Sequence, residues 1–573
     1  MRCLGRKCII QYLFTQRFGR ILSSLFIYIF CALSALFFKT ALSNSFPDAS
    51  DQKAFLVHLL THIHPLVHPF TLISDTQSLM AFLGLTDASC SHDEEHVNNR
   101  KRLQFCVNMI LGLLKRTNNK SILLPEVVPL INSLIPITRF LNEMWEPSLR
   151  RLCDPSFAGR IFVSATDGDR NHLLEFVQTS DASSSDPTSS NKQVSFDRLL
   201  QSFLWSLHEN LFTLLGSCCC YLPTLVFPRN EAFLSILLTK NGLLFQLPRV
   251  KLRNLVKHFV KPFVQNCPHD QISLTQSLEP LSSFFIPCLF KHIDDRWEVY
   301  RLNSMTTSSS GVQDKATRDS SEADKFLENE VIEDQSNRLL SREFVDVFLS
   351  LLISTPKETC LSGSPVKGTA PNSRRHEDDD DEMMADTQEV ASPDSNEPTI
   401  SEAGKMLLQK DLQSWTRMAF AQLTWDDSYI CQRISPICRL IMKLLLTHGI
   451  ISSADDVSFF LSSLFLSLRL FRENEQSQTI LVQMVLNLYE GLVKESEQVK
   501  APFWILSSSD QMSWAKFEKS FIVVDVTESK ASGGKYNDKR KREAMKPLLT
   551  HVIGVSLAHL SLLFSSFHFI CYL

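Results

Sequence analysis

The sequence predicts an all-α superhelix, a HEAT-repeat-like solenoid of degenerate helical pairs, and three observations carry that expectation. Apolar residues recur at helical spacing in blocks of about 15 residues joined by short links. Runs of period two, which mark half-buried strands, are absent from the sequence. Only 17 of the 573 residues are Gly, about 3% where roughly 7% is usual, which argues against folds built on Gly-rich phosphate loops or many tight hairpins. No exact repeat is present, which fits degenerate helical pairs better than a consensus array.

The elements follow in order. Helical texture fills 103–116, 123–141 and 194–216. In the stretch from Pro248 to Cys267, Leu252, Leu255, Val256, Phe259 and Phe263 make an apolar stripe, while Arg249, Arg253, Lys257 and Lys261 step by four along another face. Residues 341–354 continue the pattern. Ser435 and Pro436 read as the N-cap and first turn of a helix carrying Ile437, Leu440, Ile441, Leu444 and Leu445 and ending at Gly449. The next begins near Asp455, and a third carries Leu481, Met484, Val485, Leu488 and Leu492. Three segments rich in Ser, Thr and Asp read as disordered loops between helices: Thr179–Asn191, Met305–Asp324 and Thr355–Ser401. The chain therefore divides into a basic and apolar amino-terminal segment (1–44), a solenoid (45–304), a Ser/Asp-rich loop (305–335), a helix (336–354), an acidic loop (355–403), a second solenoid (404–551) and an apolar tail (552–573).

Composition bounds the function. Hydrophobic residues at 44%, with 40 Phe, supply a large core, and a net charge of −4 excludes a globally basic nucleic-acid binder. An anionic partner must therefore meet a local patch. The ladder Arg249, Arg253, Lys257 and Lys261 is the first candidate and Arg100, Lys101 and Arg102 the second; each also reads as an ordinary solvated helix face. Lys539, Arg540, Lys541 and Arg542 have three readings: a nuclear import signal, an RNA-touching patch, or the charged first turn of a helix. The acidic run Glu377, Asp378, Asp379, Asp380, Asp381 and Glu382 reads as a self-repelling solubilising segment or as a mobile anion that competes with RNA or binds a basic protein surface. The 15 Cys are odd in number and irregularly spaced, which favours reduced thiols in the cytosol or nucleus.

Catalytic and metal patterns fail on their spacing. His58 and His62 sit at i and i+4, but Leu59 stands where a zinc protease needs its general-base Glu. Cys218, Cys219 and Cys220 are consecutive and lack a second ligand pair. Asp167, Gly168 and Asp169 begin like a calcium loop and then lose its later Gly and Glu. Neither an enzyme nor a cofactor is expected. Trp297 reads as a core residue, with stacking on an unpaired base as the alternative.

The segments SDTQSLMAFLGLT (74–86), NRKRLQFCVNMILGLLKRT (99–117), SFDRLLQSFLWSLHENLFTLLG (195–216), KHFVKPFVQNCP (257–268), DRWEVYRLN (295–303), LSREFVDVF (340–348) and LTWDDSYICQR (423–433) have a counterpart. Together with the acidic EMMA loop, and in this order, the chain resembles the carboxyl-terminal half of the exportin-five family of karyopherin-β nuclear export receptors. The resemblance runs from about Asp51 to Gly554. It implies a HEAT solenoid that wraps cargo together with the GTP form of Ran, carries a short RNA duplex with a 3′ overhang, with tRNA as a further RNA cargo, and meets nucleoporins and protein cargo while shuttling between nucleus and cytoplasm. A-form RNA is recognised through shape, phosphates and 2′-hydroxyls, which a wall of Lys and Arg can meet. The family's amino-terminal half has no counterpart in this sequence, so weak Ran binding is expected.

Both ends depart from the resemblance. Arg2, Arg6, Lys7, Arg17 and Arg20 precede an apolar run from Ile21 to Phe38, and Val552–Leu573 carries no Asp, Glu, Lys or Arg. Each has the look of a membrane segment. The solenoid-like middle favours mispredicted terminal exons, with a retained intron read through after Gly554.

Overall fold

The computed structural model describes residues 49–503 other than 90, 118–119, 179–195, 229–230, 239–243, 310–319, 355–397, 452 and 493–500, and also Met545. It is an all-α helical solenoid. The described residues form two compact units, one running to Phe348 with Thr424–Cys431 added, the other Leu349–Leu423 with the residues from Gln432 on.

In the first unit, α1 (Ala49–Val67), α2 (Thr76–Leu83), α3 (Glu94–Arg116) and α4 (Lys120–Glu143) pack on one another, followed by α5 (Asp167–Gln178) and α6 (Phe196–Tyr221). Local chemistry sets the ends of these helices. Asp75 caps α2 by accepting from the Ser78 amide at 2.7 Å, and Ser78 Oγ returns to the Asp75 amide at 3.1 Å. Gly84 ends α2 at φ +71°, a conformation that costs other residues about 1 kcal/mol or more. The long α6 packs on α3 along one side and on α7 along another. α7 comprises Arg249–Leu255, a π-turn at Val256–Val260 and Lys261–Asn266 in one continuous run. α8 starts at Gln271–Ser273, passes through π-turns at Leu274–Leu278 and Leu281–Phe285, and continues as Ile286–Ser309. α9 is Ser320–Leu352. Leu252, Leu255, Val256, Phe259 and Phe263 of α7 are all within 1% of complete burial, as their spacing predicts. Trp297 of α8 is buried beside Trp425 and donates to Ser341 Oγ at 2.9 Å, so it lies in the core and not on a base-stacking surface.

In the second unit, β1 (Ile353–Ser354) pairs antiparallel with β2 (Thr399–Ile400), which brings the two flanks of 355–397 together. Ser401 Oγ then accepts from the Gly404 amide at 2.8 Å and donates to the Leu351 carbonyl at 2.7 Å, capping α10 (Glu402–Lys410). α11 (Leu412–Gln422), α12 (Ser428–Thr447, in this unit from Gln432 on), α13 (Ala454–Leu470) and α14 (Glu475–Gly491) follow. Ser453 and Asp456 form a capping box on α13, and Asn474 caps α14. Phe420 meets Phe460 edge to face at 4.7 Å, joining α11 to α13.

Three sequence expectations need correction. The helix expected to open at Ser435 and Pro436 begins at Ser428, where the Asp427 carboxylate accepts from the Tyr429 amide at 3.0 Å, and it carries Pro436 in its interior. Residues 305–335 are not a continuous loop, because α8 runs to Ser309 and α9 starts at Ser320. Within that stretch, Glu328, Glu333 and Asp334 are partners of Arg170, Arg249 and Arg296. The loop 355–403 ends earlier than expected, since β2 and the Ser401 cap are ordered structure. Both apolar terminal runs, Thr179–Asn191, and the acidic run 377–382 lie outside the described residues. No helix among the described residues is long and apolar enough to cross a membrane.

Pro262 has no N–H to offer the preceding turn, and the His258 carbonyl lies against Gly216 of α6. A Cβ at Gly216 would collide with that oxygen, which is backbone and cannot rotate away. Gly216→Ala should therefore destabilise the protein by about 2 kcal/mol, overcoming the roughly 1 kcal/mol that Ala gains in helix propensity. Urea denaturation measures it, and unchanged stability would mean that α6 and α7 are not in backbone contact.

Candidate nucleic-acid interface

The basic ladder of α7 lies opposite an acidic row on α9. Arg249 Nη1 is 2.9 Å from Glu333 Oε2, and its Nε donates to Asn337 Oδ1 at 3.2 Å. Arg253 reaches Glu343 at 3.8 Å. Lys261 is 2.7 Å from Asp346 and 3.9 Å from the same Glu343. In a regular α-helix, steps of four drift by about 40° each; the π-turn between Arg253 and Lys261 takes up part of that drift. Both side chains consequently converge on one carboxylate. Lys257, between them, is exposed and has no carboxylate partner among the described residues.

Beneath Lys257 the charge pattern continues. Burial pushes the His258 imidazole down to about 4, and the nearby cations Lys257, Arg253 and Lys115 push in the same direction. His258 is therefore neutral at pH 7, and its 3.8 Å approach to Glu209 is not an ion pair. Exposed Lys115, at the end of α3, brings a second helix to this cationic spot.

The second candidate group divides. Arg100 is only 7% exposed: its guanidinium donates to the carbonyls of Leu83 at 2.6 Å and Ser91 at 2.9 Å and lies over the Phe196 ring. It ties the end of α2 and the loop after it to α3. Lys101 is exposed and Arg102 half-buried. Lys539, Arg540, Lys541 and Arg542 lie outside the described residues, as do the acidic residues Glu377 to Glu382. Among the described residues no group of three or more His, Cys, Asp or Glu could hold a metal. Cys218 and Cys219 are buried in α6 as space-filling thiols, while Cys220 is exposed. Asp167 and Gly168 form the first turn of α5, where Asp169 accepts from Thr166 Oγ1 at 2.5 Å, as a helix start does.

One charged group escaped the sequence reading. Lys251, on the ladder helix, is 3% exposed and points into the core, with Nζ 4.2 Å from the Trp205 ring centroid and 3.2 Å from His208 Nδ1. His208 Nε2 lies 2.6 Å from Asn142 Oδ1, which completes a buried chain from α7 through α6 to α4. The signal was present in the spacing: Lys251 stands four before Leu255 and eight before Phe259, on the apolar stripe. Burial lowers Lys251 to about 7, against the pull of Asp169 and Glu209. Burial, and then Lys251 itself, hold His208 well below the usual histidine range.

The helical-repeat scaffold, with charge arranged along its helix faces, has the architecture of karyopherin-type transport proteins, although such scaffolds serve many functions. The comparisons give the particular family: the profile of Exportin-5 matches residues 25–561. The chain belongs to the Exportin-5 family. It is 24% identical to human exportin-5 over 553 residues, which is 90% of this chain and 42% of that protein, and 24% identical to mouse exportin-5 over 556 residues with the same coverage. The chain thus spans less than half the length of the curated relatives that it matches. The match begins inside the 1–44 segment and ends inside the apolar tail.

The buried lysine makes stability depend on pH. Its proton is held less well in the folded state than in the unfolded one, so as pH falls from about 10.5 to about 7 the unfolded chain takes up the proton first and stability declines. Below about 7 that decline from Lys251 stops. Lys251→Met should raise stability at pH 7 and remove a slope of at most about 1.4 kcal/mol per pH unit between pH 7 and 10. Denaturant midpoints of both proteins across that range measure it, and parallel curves would show that Lys251 keeps its charge as in water.

Proposed function

We propose that this chain acts as a nuclear export receptor that carries structured RNA, of the precursor-microRNA duplex kind, and protein cargo from nucleus to cytoplasm with Ran in its GTP form. The observation that carries this reading is the Exportin-5 profile match across residues 25–561. A role in binding and transport, with no enzymatic step, goes with it. Nucleoporins are the partners that the journey requires, and tRNA is a further RNA cargo. Because the curated relatives are more than twice as long, Ran is expected to bind these 573 residues more weakly than it binds a receptor that can wrap it from several repeats.

The RNA surface proposed here is narrower than the ladder. Arg249, Arg253 and Lys261 are matched to Glu333, Glu343 and Asp346, so a phosphate arriving there meets little net positive charge. Lys257 and Lys115 form the proposed phosphate-facing spot, with Lys101 and Arg102 as a second, and Lys539, Arg540, Lys541 and Arg542 as a third. The same neutralisation favours a second reading, a solenoid that carries protein alone.

A salt titration of duplex RNA binding separates the two. Lys257→Gln should reduce affinity equally for all sequences and lower the salt slope by about one unit, because one phosphate contact is lost. Arg249→Gln should leave the salt slope unchanged while lowering stability, since Glu333 loses its partner. Absence of salt-dependent duplex binding by the parent protein would favour the protein-only reading, and an equal effect of both substitutions would restore the ladder as the RNA wall.

A further inference from the structure

The second unit contains an open groove of about 540 Å³ between α12 and α14, edged by Pro398. Pro436, Leu440, Met442 and Leu446 of α12 supply an apolar floor, and Asn487, Glu490 and Gly491 of α14 the facing wall. Gly491 keeps the floor close, since a Cβ there would meet the side chain of Leu446. Along the α12 side stand Arg439 and Lys443, both exposed. Arg439 has no ion-pair partner among the described residues. From Pro436 to Thr447 the groove edge runs about 16 Å, enough for roughly five residues of extended chain.

We propose that this groove binds an acidic peptide segment of a partner protein, laid in extended form with apolar side chains on the floor. Charge and spacing argue for that occupant. Arg439 and Lys443 are one helical turn apart, about 6 Å along the axis, and alternate residues of an extended peptide are spaced by about 6.6 Å. Two carboxylates separated by one residue can therefore meet both cations. An RNA backbone fits less well, because the floor is apolar. The inference deepens the protein-cargo side of the proposed function and takes from it only the origin of the peptide.

The test uses the whole chain and three fluorescein-labelled peptides, a Leu-Asp repeat, a Leu-Asn repeat and a Gly-Asp repeat, read by fluorescence anisotropy. The Leu-Asp peptide should bind, and the other two should bind at least about tenfold more weakly, since each lacks one of the two recognised features. Arg439→Gln combined with Lys443→Gln should weaken the Leu-Asp peptide by about tenfold. Thr447→Trp, a substitution at an exposed position on the groove edge, should abolish binding, with circular dichroism unchanged for both variants. Peptide affinity that is equal in the parent and both variants overturns the proposal, whatever the protein's export activity. So does competition by duplex RNA for the same cations. A gain in peptide affinity on Asp378→Asn/Asp379→Asn/Asp380→Asn/Asp381→Asn would also overturn it, assigning the groove to the chain's own acidic run.

Discussion

The first unit depends on the matching of a basic row on α7 to an acidic row on α9. Neither row lies in bulk water: the side chains of Arg249, Lys261, Glu343 and Asp346 are between 14% and 27% exposed. At that depth a lone charge is costly, and a paired, hydrogen-bonded one is tolerated. The apolar residues on the same helices, Leu252, Phe259 and Phe263 on α7 and Leu340, Phe344 and Phe348 on α9, supply the burial free energy, at about 25 cal/mol per Å². The charge rows then select which faces of the two helices meet. Through the π-turn of α7 and the Gly216 contact, the same arrangement sets how α6 approaches.

That pairing explains why parts of this protein were legible in its sequence and parts were not. Helical stripes are local, so the α7 core residues and the apolar faces of α12, α13 and α14 could be read directly. Ser453 and Asn474 are caps whose meaning also depends only on neighbours in the chain. The identity of a charge's partner is not local. Glu333 and Asp334 fell in the stretch read as a loop, and Arg249 and Arg296, which hold them, lie 84 and 38 positions away. Arg100 looked like a surface base, yet its guanidinium ends on two backbone carbonyls that only the turn after α2 brings near. Lys251 was overlooked for a different reason, since a charged residue on an apolar stripe contradicts the pattern that identifies the stripe. Its tolerance comes from Trp205 and His208, contributed by α6.

The same physics shapes the functional reading. Membership of the Exportin-5 family rests on similarity spread along most of the chain, and no single motif carries it. Local charge, by contrast, directs attention away from the most regular basic pattern and toward isolated cations that the fold leaves exposed, Lys257 and Lys115 in one unit and Arg439 in the other. In a chain with a net charge of −4, attraction of an anionic partner depends on such local excess.

The most direct test of the paired rows is a double-mutant cycle on Lys261 and Asp346, with Lys261→Met, Asp346→Leu and the double variant, followed by chemical denaturation. Because both side chains are less than one third exposed, the account predicts a favourable coupling of about 1 kcal/mol, with each single variant less stable than the double variant would suggest by simple addition. A coupling indistinguishable from zero would contradict it, and would return the basic row of α7 to solvent and to its availability for RNA.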